Sequence, residues 1–296
     1  MTHPNGLYFF FSLFCDLFSS MTVCLSDILP ILNKFLVLCV CRVLNNELVI
    51  GAEVGFDLNV SLPNDERFST CCCELLNCIQ NIFSWSPNSD TFMNAEFFNN
   101  IFELCLANDK FQSVNIAALM TISELFYLQK PLPQPMIQAN GITELIQQKN
   151  LNLSNEEYQD KLTELLKLFT TQQWSRFVAD NSFPSKEFLL HLFNFTFSGA
   201  IGSLTFTERL TIWTPIIKSF NEKIAGRYTE TIVQLITNIF KKMQFQYDQE
   251  LDLLDTEDLD ENMETELQHF LNQCIDVISV AAEVEPNKIY DLIVSN

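Results

Sequence analysis

The sequence predicts an all-α protein, an α-solenoid of HEAT-like antiparallel helix pairs. Three observations carry that prediction. Apolar residues recur at i, i+3, i+4 and i+7 through most of the chain, the spacing that gathers them on one face of a helix. Only 7 Gly and 10 Pro occur in 296 residues, few for the many turns of an all-β chain. Successive helix pairs begin roughly 40–47 residues apart, the period of HEAT-type repeats. No repeat consensus is strict, so periodicity alone leaves an irregular helical bundle open. Strand alternation persists nowhere, and GFDLNV from Gly55 to Val60 is the one local hint of extended chain.

The length fits one elongated array or two globular domains, since single cores stop growing at about 250–300 residues. Hydrophobic residues make up 48% of the chain, with 27 Phe, enough to bury a large core. The organisation expected is an apolar N-terminal segment over 1–24, then a repeat segment over 25–296 that carries an acidic loop at 248–266.

From Leu7 to Cys24 the chain is apolar, with Asp16 as its single charge. A signal anchor or marginal transmembrane helix is one reading of such a stretch. Against it stand the missing basic flank, the missing small-x-small cleavage site, and the cost of about 3 kcal/mol for Asp16 at mid-bilayer. A truncated or wrongly assigned start is the expectation preferred for these residues.

The amphipathic faces follow in order. Phe68, Cys72, Leu75, Leu76, Ile79 and Phe83 form the first, and Asn94 to Leu106 fits a further helix. Val114, Ala117, Leu119, Ile122, Leu125 and Phe126 form the next, then Tyr158, Leu162, Leu165, Leu166 and Phe169. Ser185 to Phe197 fits another helix. Phe206, Leu210, Trp213, Ile217 and Phe220 give a fourth face, and Ile232, Ile236, Ile239, Phe240 and Met243 a fifth. Met263, Leu267, Phe270, Leu271, Cys274, Ile275 and Ile278 give the sixth. Short polar segments with Pro, Asn or Ser separate them, such as 86–89, 131–135, 150–155 and 181–184. Ser154 ahead of Asn155, Glu156 and Glu157 reads as a helix start, and Thr205 three residues before Glu208 as a capping box. Pro215 interrupts an apolar stripe that continues past it, so it predicts a kink rather than a stop.

Nine of the ten Cys precede residue 106, and Cys71, Cys72 and Cys73 are consecutive, which is no disulfide framework. Reduced thiols buried as small apolar groups are expected, which points to cytosol or nucleus. Three consecutive Cys point about 100° apart on a helix and cannot converge on one zinc ion. His3, His191 and His269 lie far apart, and no phosphate loop, nucleophile elbow or zinc-protease motif is present. The sequence therefore reads as a binding protein with no cofactor and no metal, not an enzyme. His191, in LLHLFNF, reads as a packing residue, and Trp85, Trp174 and Trp213 as core.

The net charge is -20, which disfavours nucleic acid and anionic membrane surfaces. No Lys or Arg lies between Lys242 and Lys288, an interval holding thirteen Asp or Glu. Such a segment between two helices suits a basic protein partner, reached through a steered encounter. Asp252, Asp255, Glu257, Asp258, Asp260 and Glu261 are the candidate partner-binding residues. The bland reading, a passive solvated loop, has equal weight. A calcium site is disfavoured by the missing EF-hand order and central Gly.

Five stretches stand out together: FSWSP (Phe83 to Pro87), YQDKLTELLKLF (Tyr158 to Phe169), FPSKEFLLHLFNFTF (Phe183 to Phe197), LTIWTPIIKSFNEKI (Leu210 to Ile224) and the acidic block with its following helix, Phe245 to Ser279. In these, from about Glu66 onward, the chain resembles the central part of the exportin-6 family of nuclear export receptors, in the importin-β (karyopherin) superfamily. The resemblance implies a HEAT-repeat solenoid that binds Ran-GTP, nucleoporins and a protein cargo, profilin–actin, and shuttles between nucleus and cytoplasm. Residues 1–60 lack the resemblance, and the family's N-terminal Ran-binding repeats and its later repeats are not visible. A fragment of a longer receptor is therefore expected. A Ran-independent helical-repeat scaffold is the alternative, and a membrane-anchored helical protein rests wholly on residues 7–24. A solenoid piece without polar capping repeats exposes apolar faces, so self-association at micromolar concentration is expected.

Overall fold

The computed structural model describes residues 32–37, 39, 65–85, 95–106, 110–127, 139–147, 153–178, 183–198, 204–220 (residue 212 and the turns included), 222–244, 251, 254, 257 and 263–295. Among these the regular secondary structure is helical, joined by turns and bends. We label the helices α1 (Asp65–Trp85), α2 (Ala95–Cys105), α3 (Gln112–Tyr127), α4 (Ala139–Leu145), α5 (Glu156–Gln172), α6 (Trp174–Val178), α7 (Ser185–Thr196), α8 (Leu204–Thr211), α9 (Trp213–Lys218), α10 (Glu222–Lys242), α11 (Glu266–Val284) and α12 (Pro286–Ser295). Residues 32–37 are helical as well. The chain divides into two compact units, Met1–Leu165 and Leu166–Asn296.

In the first unit α3 is the central helix, packed on both α1 and α2, while α2 also packs on α4. Position between two neighbours explains why α3 is buried nearly all round, with Asn115, Thr121 and Ser123 buried among its apolar residues. Asn115 offsets its own burial by donating from Nδ2 to the carbonyls of Leu104 (2.8 Å) and Leu106 (2.9 Å). Tyr158 donates to the Cys105 carbonyl at 3.2 Å. Between them they satisfy carbonyls that the end of α2 leaves without intrahelical partners. Gly141 lets α4 approach α2 closely, since a Cβ there would lie 3.1 Å from the Phe102 ring. All six residues of the predicted first face are buried on α1.

In the second unit α8, α9, α10 and α12 all pack on α11, and α7 packs on α8 and α10. Its aromatic core gathers Phe169, Trp174, Phe177, Phe183 and Phe188 with ring centroids 5.3–6.3 Å apart. The two fully buried indoles each find an acceptor: Trp174 Nε1 donates to Ser219 Oγ (2.8 Å) and Trp213 Nε1 to Thr196 Oγ1 (3.0 Å). Arg209 is also fully buried; its guanidinium donates to the Phe195 carbonyl at 3.0 Å and lies 4.1 Å from the Phe195 ring centroid.

Stacking follows the repeat period. Ser84 donates to Glu124, 40 residues on, at 2.7 Å; Tyr127 donates to Glu164, 37 on, at 3.4 Å; Asn155 donates to Gln112, 43 back, at 3.0 Å. Within the second unit Lys167 donates to Glu208, 41 residues on, and Trp174 to Ser219, 45 on. In the first unit these bonds join α1 to α3 and α3 to the start of α5; in the second they join the end of α5 to α8 and α6 to the end of α9. Each unit is thus built as an α-solenoid, in which a helix pair contacts the pair before and the pair after it.

Several local expectations need correction. The sixth face is rotated: Phe270, Cys274, Val277 and Ala281 are buried, whereas Ile275 is 50% and Met263 72% exposed. Packing against helices on several sides selects the i, i+4, i+7, i+11 line over the neighbouring one. On α10, Leu235 joins the buried face, while Phe240 and Met243 are half-buried. Thr205 lies inside α8 rather than at its cap. The start of α5 is capped by Asn155, whose Oδ1 accepts from the Tyr158 N–H at 2.9 Å, and not by Ser154. At Pro215 the stripe runs on through two segments, α8 and α9. The break falls at Ile212, which keeps αR dihedrals, and Pro215 lies inside α9. Cys39, Cys71, Cys72, Cys73, Cys105 and Cys274 are free thiols, in line with the reduced expectation, but Cys78 is disulfide-bonded, which it did not anticipate. No helix among the described residues is long and apolar enough to cross a membrane, and residues 7–24 lie outside them.

Candidate functional site

The acidic segment begins where α10 ends. Lys241 and Lys242 occupy the last turn of α10, where positive charge complements the helix C-terminus. Gln244 N–H still reaches the Lys241 carbonyl at 3.3 Å. Beyond them the acids begin, and α11 opens at the far side.

Two leucines tie the segment to the fold. Leu251 is 1% and Leu254 7% exposed, and the Leu254 N–H donates to the Leu251 carbonyl at 3.3 Å. Burying two leucine side chains contributes roughly 1.5–3 kcal/mol each relative to leaving them in water. The segment is therefore anchored within the first part of its length. Sequence reasoning weighed the charges of this stretch and passed over the Leu-x-x-Leu spacing, the one signal that pointed to anchoring.

The entry into α11 is built with equal definition. Met263 adopts a left-handed backbone (φ 62°) and is exposed. Thr265 then caps the helix: its hydroxyl accepts from the Gln268 N–H at 3.2 Å, and Gln268 Oε1 accepts from the Thr265 N–H at 3.1 Å. This reciprocal capping box satisfies two donors of the first turn. Glu264 accepts from Asn272 Nδ2 at 2.9 Å and lies 3.6 Å from His269 Nδ1. Glu285, after α11, accepts from Thr229 Oγ1 at 2.6 Å. Among the described residues, Glu264 and Glu285 thus also serve the local structure.

Of the six candidate partner-binding residues, Glu257 is described and exposed. Asp252, Asp255, Asp258, Asp260 and Glu261 lie outside the described residues. His191, read as a packing residue, is half-buried with Nε2 3.7 Å from the Glu187 carboxylate on the preceding turn. Trp174 and Trp213 are core, as expected. Burial pushes the Cys274 thiol up to about 12 and holds the Cys105 thiol well above its ordinary value. A shallow cleft of about 200 Å³ between α7 and α10 is lined by Lys186, Leu190, Phe193, Arg227 and Glu230.

The chain matches no known family model, and no solved structure matches it. It is similar to Exportin-6 of Homo sapiens, 27% identical over 276 residues, which covers 77% of this chain and 24% of that protein. Exportin-6 of Mus musculus is 27% identical over 261 residues, 73% of this chain and 23% of the relative. Exportin-6-B of Xenopus laevis is 31% identical over 143 residues, 45% of this chain and 12% of the relative. The chain spans about a quarter of the length of the curated relatives it matches over most of its own. These similarities support an exportin-like relationship.

Proposed function

We propose that this chain is a segment of a nuclear export receptor that binds Ran-GTP and carries a protein cargo, profilin–actin, through nuclear pores by way of nucleoporins. It works as a binding protein, shuttles between nucleus and cytoplasm, and uses no cofactor. The observation that carries this reading is the similarity to Exportin-6 along 77% of the chain. The repeat-spaced stacking of helix pairs supports it, since such arrays present long surfaces to protein partners.

The acidic segment is the proposed contact with basic residues of Ran or cargo. Asp252, Asp255, Glu257, Asp258, Asp260 and Glu261 fall in an interval without Lys or Arg, so their fields add rather than cancel. Anchoring by Leu251 and Leu254 limits the ordering entropy that binding must overcome.

A second reading is a helical-repeat scaffold indifferent to Ran. It is favoured by residues 1–60, which do not resemble the receptor family. A pulldown of the full-length transcript product from nuclear extract, with Ran loaded with GTP or GDP and blots for actin and profilin, separates the two. Actin retained only with Ran-GTP is the expected result. Retention regardless of nucleotide selects the scaffold, and loss of actin in both arms removes the cargo assignment.

A further inference from the structure

Cysteine spacing in the sequence gives no pairing, yet the fold brings two thiols together. Cys39 Sγ and Cys72 Sγ lie 3.1 Å apart across 33 residues of sequence. Cys72 sits on the buried face of α1, and Cys39 is helical, as residues 32–37 are. A disulfide requires about 2.05 Å between sulfurs, so closure asks for a movement of about 1 Å. Cys71 and Cys73 on the same helix are half-buried and so more open to oxidant; the 3.1 Å approach, not exposure, singles out Cys39 and Cys72 as the pair that can close.

We propose that Cys39 and Cys72 are a peroxide-responsive dithiol that closes into a reversible disulfide, tying the chain at Cys39 to α1. Cys39 reacts first, because it is 8% exposed against 1% for Cys72. Its thiolate attacks one oxygen of hydrogen peroxide, the O–O bond breaks, and the departing hydroxide takes a proton to leave as water. Cys39 is now a sulfenic acid. The Cys72 sulfur attacks it, the S–O bond breaks, and a second water leaves with the Cys72 proton. Two thiols and one peroxide thus give one disulfide and two waters. Thiol reductants reverse the change by exchange. Burial, and after it the contact with Cys39, raises the Cys72 thiol well above its ordinary range, so the second step, attack by the Cys72 sulfur, is faster as pH rises. No group of described residues offers a metal site that would compete for these sulfurs.

The test treats the full chain with hydrogen peroxide, blocks remaining thiols with N-ethylmaleimide after unfolding, and maps disulfides by peptide mass spectrometry. The expected product is a peptide pair joined through Cys39 and Cys72, lost on adding dithiothreitol and absent from Cys39→Ser. The Cys71→Ser/Cys73→Ser variant keeps the link. Peroxide-treated wild-type chain also unfolds at higher denaturant than untreated chain, both with the Cys78 disulfide intact, and Cys39→Ser loses that gain while keeping the untreated midpoint. Recovery of Cys39 and Cys72 both blocked by maleimide, or of Cys39 joined to Cys71 instead, overturns the proposal.

Discussion

Ser185 and Tyr228, 43 residues apart, share a buried hydrogen bond of 2.7 Å between their hydroxyls. It fixes the start of α7 to α10, one repeat on, and the Tyr228 ring stacks on Phe220 at 4.6 Å between centroids. Tyr228→Phe keeps the stacking and removes the bond. It should cost about 1 kcal/mol in chemical denaturation. Ser185→Ala should cost a similar amount, and the double variant clearly less than the sum. Additive losses would show that the two hydroxyls do not depend on each other.

The capping box at α11 makes a second expectation. Thr265→Ala should destabilise by about 1 kcal/mol, and hydrogen exchange should quicken in the first turn of α11 before any other helix. Uniform acceleration across the second unit would mean that the cap serves the whole packing rather than the helix end.

Replacing Asp252, Asp255, Glu257 and Asp258 with Lys should slow association with the proposed basic partner and flatten the dependence of the association rate on salt. Unchanged association at low salt would return the segment to a passive role.

Tyr290 (67% exposed), Ile293 (51%) and Val294 (67%) leave an apolar strip along α12, with Ile275 (50%) on the adjoining α11. Concentration-dependent self-association at micromolar protein is the expected behaviour in light scattering, and Ile293→Glu should suppress it. A monodisperse wild-type monomer would contradict this.

The Glu103 carboxyl is pushed above the ordinary carboxylate range, first by burial and second by the charge of Glu144. Its folded pKa exceeds its unfolded one, so the folded state holds the proton more tightly. The contribution to stability is most favourable below the unfolded pKa and is lost as pH rises through the folded pKa. Glu103→Gln should therefore raise the denaturation midpoint at neutral pH, with the gain shrinking as the wild-type carboxyl protonates in acid. A gain of equal size at both pH values would exclude the ionised carboxyl as its source.

The helices were legible because burial imposes a period. Phe68 through Phe83, Tyr158 through Phe169 and Phe206 through Phe220 are buried as the i, i+3, i+4 spacing requires. The repeat was legible in outline, and the Lys167–Glu208 and Trp174–Ser219 bonds give it a register. On α11 the pattern carried two adjacent apolar lines, and only the neighbours α8, α9, α10 and α12 decide between them. The cap at Thr265 was readable from Gln268 three residues later, whereas Thr205 and Glu208 carried the same signal inside a helix. Capping motifs report local chemistry, and tertiary packing sets where the helix begins. The Cys39–Cys72 approach left no trace in spacing, because a contact across 33 residues depends on how two helices meet.

The bonds at repeat spacing also bear on how the chain is made. Ser84 meets Glu124 only 40 residues later, and even Asn33 finds Asn100 within 67. Among the described residues, the bonds at this spacing wait for no distant part of the polypeptide. As synthesis proceeds at about 5–20 residues per second, each emerging helix pair can dock on the one just completed within seconds. Nascent chain would then acquire structure from its first repeats onward, leaving little unpaired apolar surface behind the ribosome at any moment.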